Sequence, residues 1–338
     1  MDTFALRSPP LFGVLRDDGS LDPAHETALS EQLAVALYEH MVIARALDEG
    51  VAALQSEGTV ARHSSAIGDE AMVIGAVAAM KDQDWVFPSS REFAAALWRG
   101  MPVSAYVHHA LGTDCDPGKG RSSPDSPFWK AARVASTSPL AATQIPHAVG
   151  LAWAARMRAS DVGALVFFGH DSMTRGDFHS GLNFAGVARA AIVAVCRTAS
   201  SPGSPRNESA GCAIKSLAYG VESVRVDGGD VLAVFHVVSE ARSRAAAGRG
   251  GTLVEAVVGG LPDAGYGADA DPIERMRRHV VGRGLWSEDR EQRLRSEARA
   301  DVERAVSDGA AAAKPPLETI FDDVYADLPW HLKEQRGT

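Results

Sequence analysis

The chain has 338 residues, 46% hydrophobic and 23% charged, enough apolar material for one large α/β domain or two small ones. A formal net charge of −9 argues against a nucleic-acid partner. No apolar run reaches membrane-spanning length, so no membrane partner is expected either.

Residues 1–22 are rich in Pro, Gly and Asp and read as an extended N-terminal arm. The start MDTFALRSPPLFG lacks the basic and apolar regions of a signal peptide. Residues 25–57 read as a long amphipathic helix. Leu33, Leu37, Met41, Ala44, Leu47, Val51 and Leu54 recur at helical spacing, and Pro23 suits a helix start. From 60 to 260 apolar strands alternate with helices, the pattern of a parallel sheet covered on both faces. The expected strands are Asp84–Phe87, Leu165–Phe168, Ala191–Cys196, Ser223–Val226 and Thr252–Val257. AAGRGG (246–251) and DGAAAAKPP (308–316) read as linkers. Residues 272–312 are rich in Arg, Glu and Ala, a solvated helical region with Ser287 as an N-cap. Cys115, Cys196 and Cys212 are odd in number and not spaced as a metal site. Cys196 falls in a buried strand, and the expected location is a reducing cytoplasm.

Residues 165–201 read LVFFGHDSMTRGDFHSGLNFAGVARAAIVAVCRTASS. The apolar strand breaks at Gly169, a polar stretch leads into a helix, and a second buried strand follows. In parallel sheets ligands sit at the carboxyl ends of the strands, where Gly lets a backbone approach a phosphate. In the same way Ser90-Arg91-Glu92 comes just after the strand ending at Phe87, and Arg suits phosphate because its planar fork donates two hydrogen bonds. Gly176 and Asp177 read as a turn and a helix cap.

In order along the chain, DWVFPSSREFAAALWRG (84–100), DPGKGR (116–121), STSPLAATQIPHAVGLAWAA (136–155), GDFHSGLNFA (176–185), VRVDGGDVLAVFHVVSEARSRA (224–245), TLVEAVV (252–258) and LETIFDDVYADLP (317–329) resemble one family. It is the alpha subunit of the decarboxylating component of branched-chain 2-oxo acid dehydrogenase. The resemblance runs from about residue 30 to about residue 335. It implies an α/β thiamine diphosphate-binding fold: a parallel sheet with helices on both faces, an N-terminal helix and a C-terminal helical tail. Residues 23–338 would form that single domain, with a core at about 60–260 and the tail at about 272–338. The implied cofactor is thiamine diphosphate with Mg²⁺, besides a structural K⁺ near Thr143 and Gln144. The implied partners are a beta subunit, in an α₂β₂ tetramer with the cofactor at the interface, and the lipoyl acyltransferase core of the complex. The beta chain supplies the Glu that activates the cofactor. The implied activity is oxidative decarboxylation of a 2-oxo acid with acyl transfer to a lipoyl group.

Carried over residue by residue, the resemblance implies cofactor contacts at Arg91, Ser138, Leu140, Gly169, Asp171, Ser172 and Arg197. Arg91 and Arg197 match diphosphate-site arginines, while Ser138-Pro139-Leu140 matches the segment that grips the aminopyrimidine. The chain departs from the pattern at one site. Gly169-His170-Asp171 stands where the family has Gly-Asp/Glu-Gly, and Thr198-Ala199 where it has Asn-Asn. The family's Mg²⁺ positions thus read His170, Ala199 and Ser201. His is a poor ligand for a hard cation and Ala is none. Ser90 replaces a Tyr, SPLAATQ carries one extra Ala, and the catalytic His pair reads Asp263-Ala264. Asp171 stands open as a shifted metal ligand or as a partner of Arg197.

Three readings stay open at this point. The chain is an active subunit with an unusual site, or a catalytically impaired paralogue kept as a structural or interaction subunit. In the third, the pocket is reused for another metal or ligand, with His170, Asp171, Asp177 and His179 as an N/O cluster.

Overall fold

The longest helix, α1, spans Glu31–Ser56 and opens where Ser30 accepts a hydrogen bond from the Leu33 amide. The helix therefore starts at Ser30, later than Pro23, which lies in a turn. Its buried stripe includes Leu37, Met41, Ala44, Leu47, Val51 and Leu54, as the periodicity predicts. The structure, a computed structural model, describes residues 9–23, 29–136, 138–199, 211–259 and 271–336.

The sheet contains β1 (Leu11–Phe12), β2 (Trp85–Phe87), β3 (Ala164–Gly169), β4 (Ile192–Ala199), β5 (Glu222–Asp227) and β6 (Thr252–Val258), in the order β1-β5-β6-β4-β3-β2. All its pairings are parallel. Between the strands run α2 (Glu70–Ala78), α3 (Ala94–Trp98), α4 (Val103–Leu111), α5 (Gln144–Met157), α6 (Gly176–Ala188), α7 (Cys212–Ser216) and α8 (Val231–Ala246). After β6 come α9 (Pro272–Gly282), α10 (Glu288–Ala311), α11 (Thr319–Asp322) and α12 (Trp330–Arg336).

Alternation along the strands divides the core into two layers. Leu165, Phe167, Val193 and Val195 pack in one layer with α1, α2 and α8 residues such as Leu37, Val73 and Val234. Val166, Phe168, Ala194 and Cys196 point the other way, into a layer shared with Ile145, Phe178 and Leu182 of α5 and α6. Burial on both faces explains why these strands read as unbroken apolar runs.

The N-terminal arm is more than an extension. Leu11 and Phe12 pair with Arg225 and Val226, and the Val14 and Leu15 amides donate to buried Asp230, each at 2.6 Å. The same carboxylate caps α8 through the Leu232 and Ala233 amides. In the C-terminal part, Ser287 caps α10 as expected, accepting from Arg290. That helix continues to Ala311, so the first residues of the expected 308–316 linker are helical. Asp177 lies in the first turn of α6 without capping it, and Arg175 takes the cap position. Among the described residues no helix is long and apolar enough to cross a membrane.

Candidate active site

Where β2, β3 and β4 end, their carboxyl termini open into a cleft of about 440 Å³. Its walls come from five places: the loop after β2, the loop after β3, the end of β4, the turn before α5, and Arg62 from the loop after α1.

After β2 the chain turns around Glu92. This buried carboxylate accepts from the Ser89 amide at 2.7 Å and from the Ser89 hydroxyl at 2.6 Å. Burial pushes the Glu92 carboxyl above its usual range, against those hydrogen bonds. The turn presents Arg91 to the cleft, and its guanidinium donates to the Ser65 carbonyl. That acceptor is neutral, so among the described residues Arg91 has no ion-pair partner.

β3 and β4 meet with Gly169 directly opposite Arg197. The pairing brings the triplet and the Arg together, as the family spacing implies. Arg197 holds Asp69 at 2.5 Å through Nε, and its side chain stays 26% exposed. Asp69 is buried and pushed up by that burial, while Arg197 and then Arg91 pull it back down. Arg197 therefore pairs with Asp69 and not with Asp171.

His170–Thr174 forms a 3₁₀ turn, with the Thr174 hydroxyl donating to the Asp171 carbonyl. His170 and Asp171 are exposed at the cleft, and Ser172 is buried beneath it. A methyl group at Gly169 would lie only 2.5 Å from Asp171 Oδ1. The Asp171 carboxylate thus occupies the space that a glycine leaves at the end of β3. Among the described residues that carboxylate has no hydrogen-bond or ion-pair partner.

Ser138, Pro139 and Leu140 line the opposite wall. Ser138 Oγ accepts from the Leu140 amide, and Thr143 Oγ1 donates to the Leu140 carbonyl. Leu140 is 67% exposed. Buried Ala142 in this turn takes φ +76°, a left-handed conformation that costs a non-glycine residue roughly 1–3 kcal/mol. The Gln144 amide nitrogen reaches across to the Phe167 carbonyl at 2.7 Å. Thr143 thus closes the turn on itself, and Gln144 ties it to the sheet.

Two contributors were missed at the level of sequence. Arg62 donates to Asp125 at 2.8 Å, and Ser64 binds the same carboxylate. Burial works against the Asp125 charge, yet Ser123, Ser64 and Arg62 hold its carboxyl below the usual range. The loop carrying Arg62 is pinned by buried His63 and Asp48, 2.6 Å apart, and by the Ala66 amide on Asp48. Asp69 was missed as well. Both arrive through tertiary packing and belong to no local motif.

The arginines fit a diphosphate, since Arg62, Arg91 and Arg197 converge on one cleft. The donor set does not fit the magnesium that would accompany it. Mg²⁺ takes oxygen ligands, but the expected positions offer an imidazole at His170 and a methyl at Ala199. Among the described residues no three or more His, Cys, Asp and Glu side chains come together as a metal-binding group. His170, Asp171, Asp177 and His179 therefore make no cluster, and His179 instead bonds the Tyr219 hydroxyl from α6. Ser201, Asp263 and Ala264 lie outside the described residues.

Comparison with known proteins agrees with this architecture. The family described as "Dehydrogenase E1 component" matches residues 38–258 and 265–318. The chain belongs to the dehydrogenase E1 component family. It is 33% identical to the Arabidopsis thaliana "2-oxoisovalerate dehydrogenase subunit alpha 1, mitochondrial", covering 97% of this chain and 74% of that protein. Against the Mus musculus 2-oxoisovalerate dehydrogenase subunit alpha the identity is 30%, over 97% of this chain and 79% of the relative. For the Caenorhabditis elegans protein of that name the identity is 30%, over 99% and 82%. The match covers the scaffold of this E1 chain nearly end to end, so the departures at His170 and Ala199 sit within a kept fold.

Proposed function

We propose that this E1 chain is the alpha-type subunit of a branched-chain 2-oxo acid dehydrogenase, working on 2-oxoisovalerate-like acids with a beta-type subunit. The observation that carries the reading is the cleft itself. An arginine-lined opening lies at the ends of β2, β3 and β4, in a chain similar along its length to 2-oxoisovalerate dehydrogenase alpha subunits. The expected ligand class is thiamine diphosphate, held at its diphosphate by Arg91 and Arg197, with Ser138 and Leu140 beside the ring.

Exposed apolar side chains support a partner subunit. Trp153 and Met157 of α5 stand beside Phe184 and Val187 of α6, and Trp153 stacks on Phe184. A beta-type chain closing the cleft would supply the Glu that activates the cofactor, and a lipoyl acyltransferase would accept the acyl group. Thr143 Oγ1 and Gln144 Nε2, near the position of the family's potassium ion, donate to the Leu140 and Phe167 carbonyls. A reducing compartment is supported by Cys115, Cys196 and Cys212, all free thiols.

The test is co-expression with a beta-type E1 subunit, followed by a decarboxylation assay on 3-methyl-2-oxobutanoate with thiamine diphosphate. Turnover by the purified complex is the expected result. The competing outcome is an architectural subunit without turnover. A well-folded complex with no release of carbon dioxide would establish it.

A further inference from the structure

The cleft's positive charge is unevenly compensated. Arg62 is balanced by Asp125 and Arg197 by Asp69, while Arg91 meets only a carbonyl. Both ion pairs use a single nitrogen, Nε, of a guanidinium with several donors. Guanidinium donors for an anion are therefore present among the described residues without a metal. At the described positions where the family places its magnesium ligands, His170 and Ala199 supply no side-chain oxygen.

Asp171 adds a second constraint. Its carboxylate lies in the space that Gly169 leaves open, where a phosphate would make its closest approach to the backbone. No guanidinium takes up that charge among the described residues. An incoming phosphoanion must displace the carboxylate or bear its repulsion.

We propose that this cleft binds a diphosphate-type anion through its guanidinium groups alone, without a divalent cation, and that Asp171 limits the affinity. The inference rests on the proposed function only for the class of the anion. It explains how a chain can keep both arginines after losing the metal ligands. It also assigns Asp171 a role opposite to that of a relocated magnesium ligand.

The test is isothermal titration of inorganic pyrophosphate into the full chain, once with EDTA and once with excess Mg²⁺. Binding in EDTA that Mg²⁺ leaves equal or weaker is expected, because Mg²⁺ competes for the anion. Tenfold tighter binding with Mg²⁺ would overturn the proposal. Asp171→Asn, an exposed and shape-conserving change, should tighten pyrophosphate about tenfold in EDTA, about 1.4 kcal/mol. Unchanged or weaker binding by this variant, with its circular dichroism intact, would remove Asp171 from the role. Inorganic phosphate should bind at least tenfold more weakly than pyrophosphate, and equal affinity would overturn the diphosphate assignment. Failure of turnover with a beta-type partner leaves these titrations untouched. Turnover without metal-free pyrophosphate binding would sink this inference alone.

Discussion

The two ends of the sheet use arginine in opposite ways. At the amino end, Arg242 of α8 is buried and grips buried Asp84 with two nitrogens, at 2.8 and 2.9 Å. Asp84 also accepts from the Gly163 and Lys81 amides, so it fixes the entries to β2 and β3. At the carboxyl end, Arg91 and Arg197 are tethered by one acceptor each and remain open to the cleft. A guanidinium matched to a carboxylate at both prongs and sealed from water is structural. One pinned at a single nitrogen beside solvent keeps donors for a ligand. The contrast separates the two roles for the same residue type.

The sharpest way to break this comparison is at Asp84. Asp84→Ala leaves Arg242 buried without its main partner and should destabilise the fold by about 3–5 kcal/mol. A urea midpoint within experimental error of wild type would show that the amino-end pair is not structural.

Beneath the cleft, burial pushes the Glu70 carboxyl up to about 7 against the pull of Arg45. Its folded value lies above the unfolded one, so the folded state holds the proton longer. The group's contribution is full below its model value of 4.5, falls as pH rises toward about 7, and is flat above. Glu70→Gln should remove a pH-dependent loss on the order of 3 kcal/mol between pH 4.5 and 7. Urea titrations of both proteins at the two ends of that window measure it. Parallel pH profiles would mean that Glu70 does not titrate there.

Arg91→Ala should leave the melting transition nearly unchanged, within about 0.5 kcal/mol. Pyrophosphate affinity should fall about tenfold, or about 1.4 kcal/mol. Loss of stability in place of affinity would move Arg91 into the structural class. The smallest effect is expected at the exposed Lys81–Asp161 pair, 2.7 Å long and near Arg242. Lys81→Ala should cost less than about 0.5 kcal/mol by thermal denaturation, and a larger loss would extend the sealed network to the surface.

Strands β3 and β4 were legible because burial on both faces leaves long apolar runs. Helix α1 was legible from its stripe, although its true start at Ser30 was hidden behind the stronger signal of Pro23. Strand β1 was not legible, since two residues carry no alternation and pair only through β5. The facing of Gly169 and Arg197 followed from motif spacing. The partner of Arg197 did not, because Asp69 comes from the start of α2 and no local pattern joins them. Arg62 escaped for the same reason, its place set by Asp48 and His63. The left-handed conformation at Ala142 needed coordinates, because nothing in the local sequence asks for it.

The docking of β1 bears on the order of assembly. Leu11 and Phe12 wait for Arg225 and Val226, more than 200 residues later in the chain, and Asp230 takes the Val14 and Leu15 amides across the same gap. Contacts so distant in sequence form slowly and late. Until they form, the edge of β5 is unpaired and open to other strands. A nascent chain on the ribosome would thus hold its first residues idle until nearly all of the sheet has emerged.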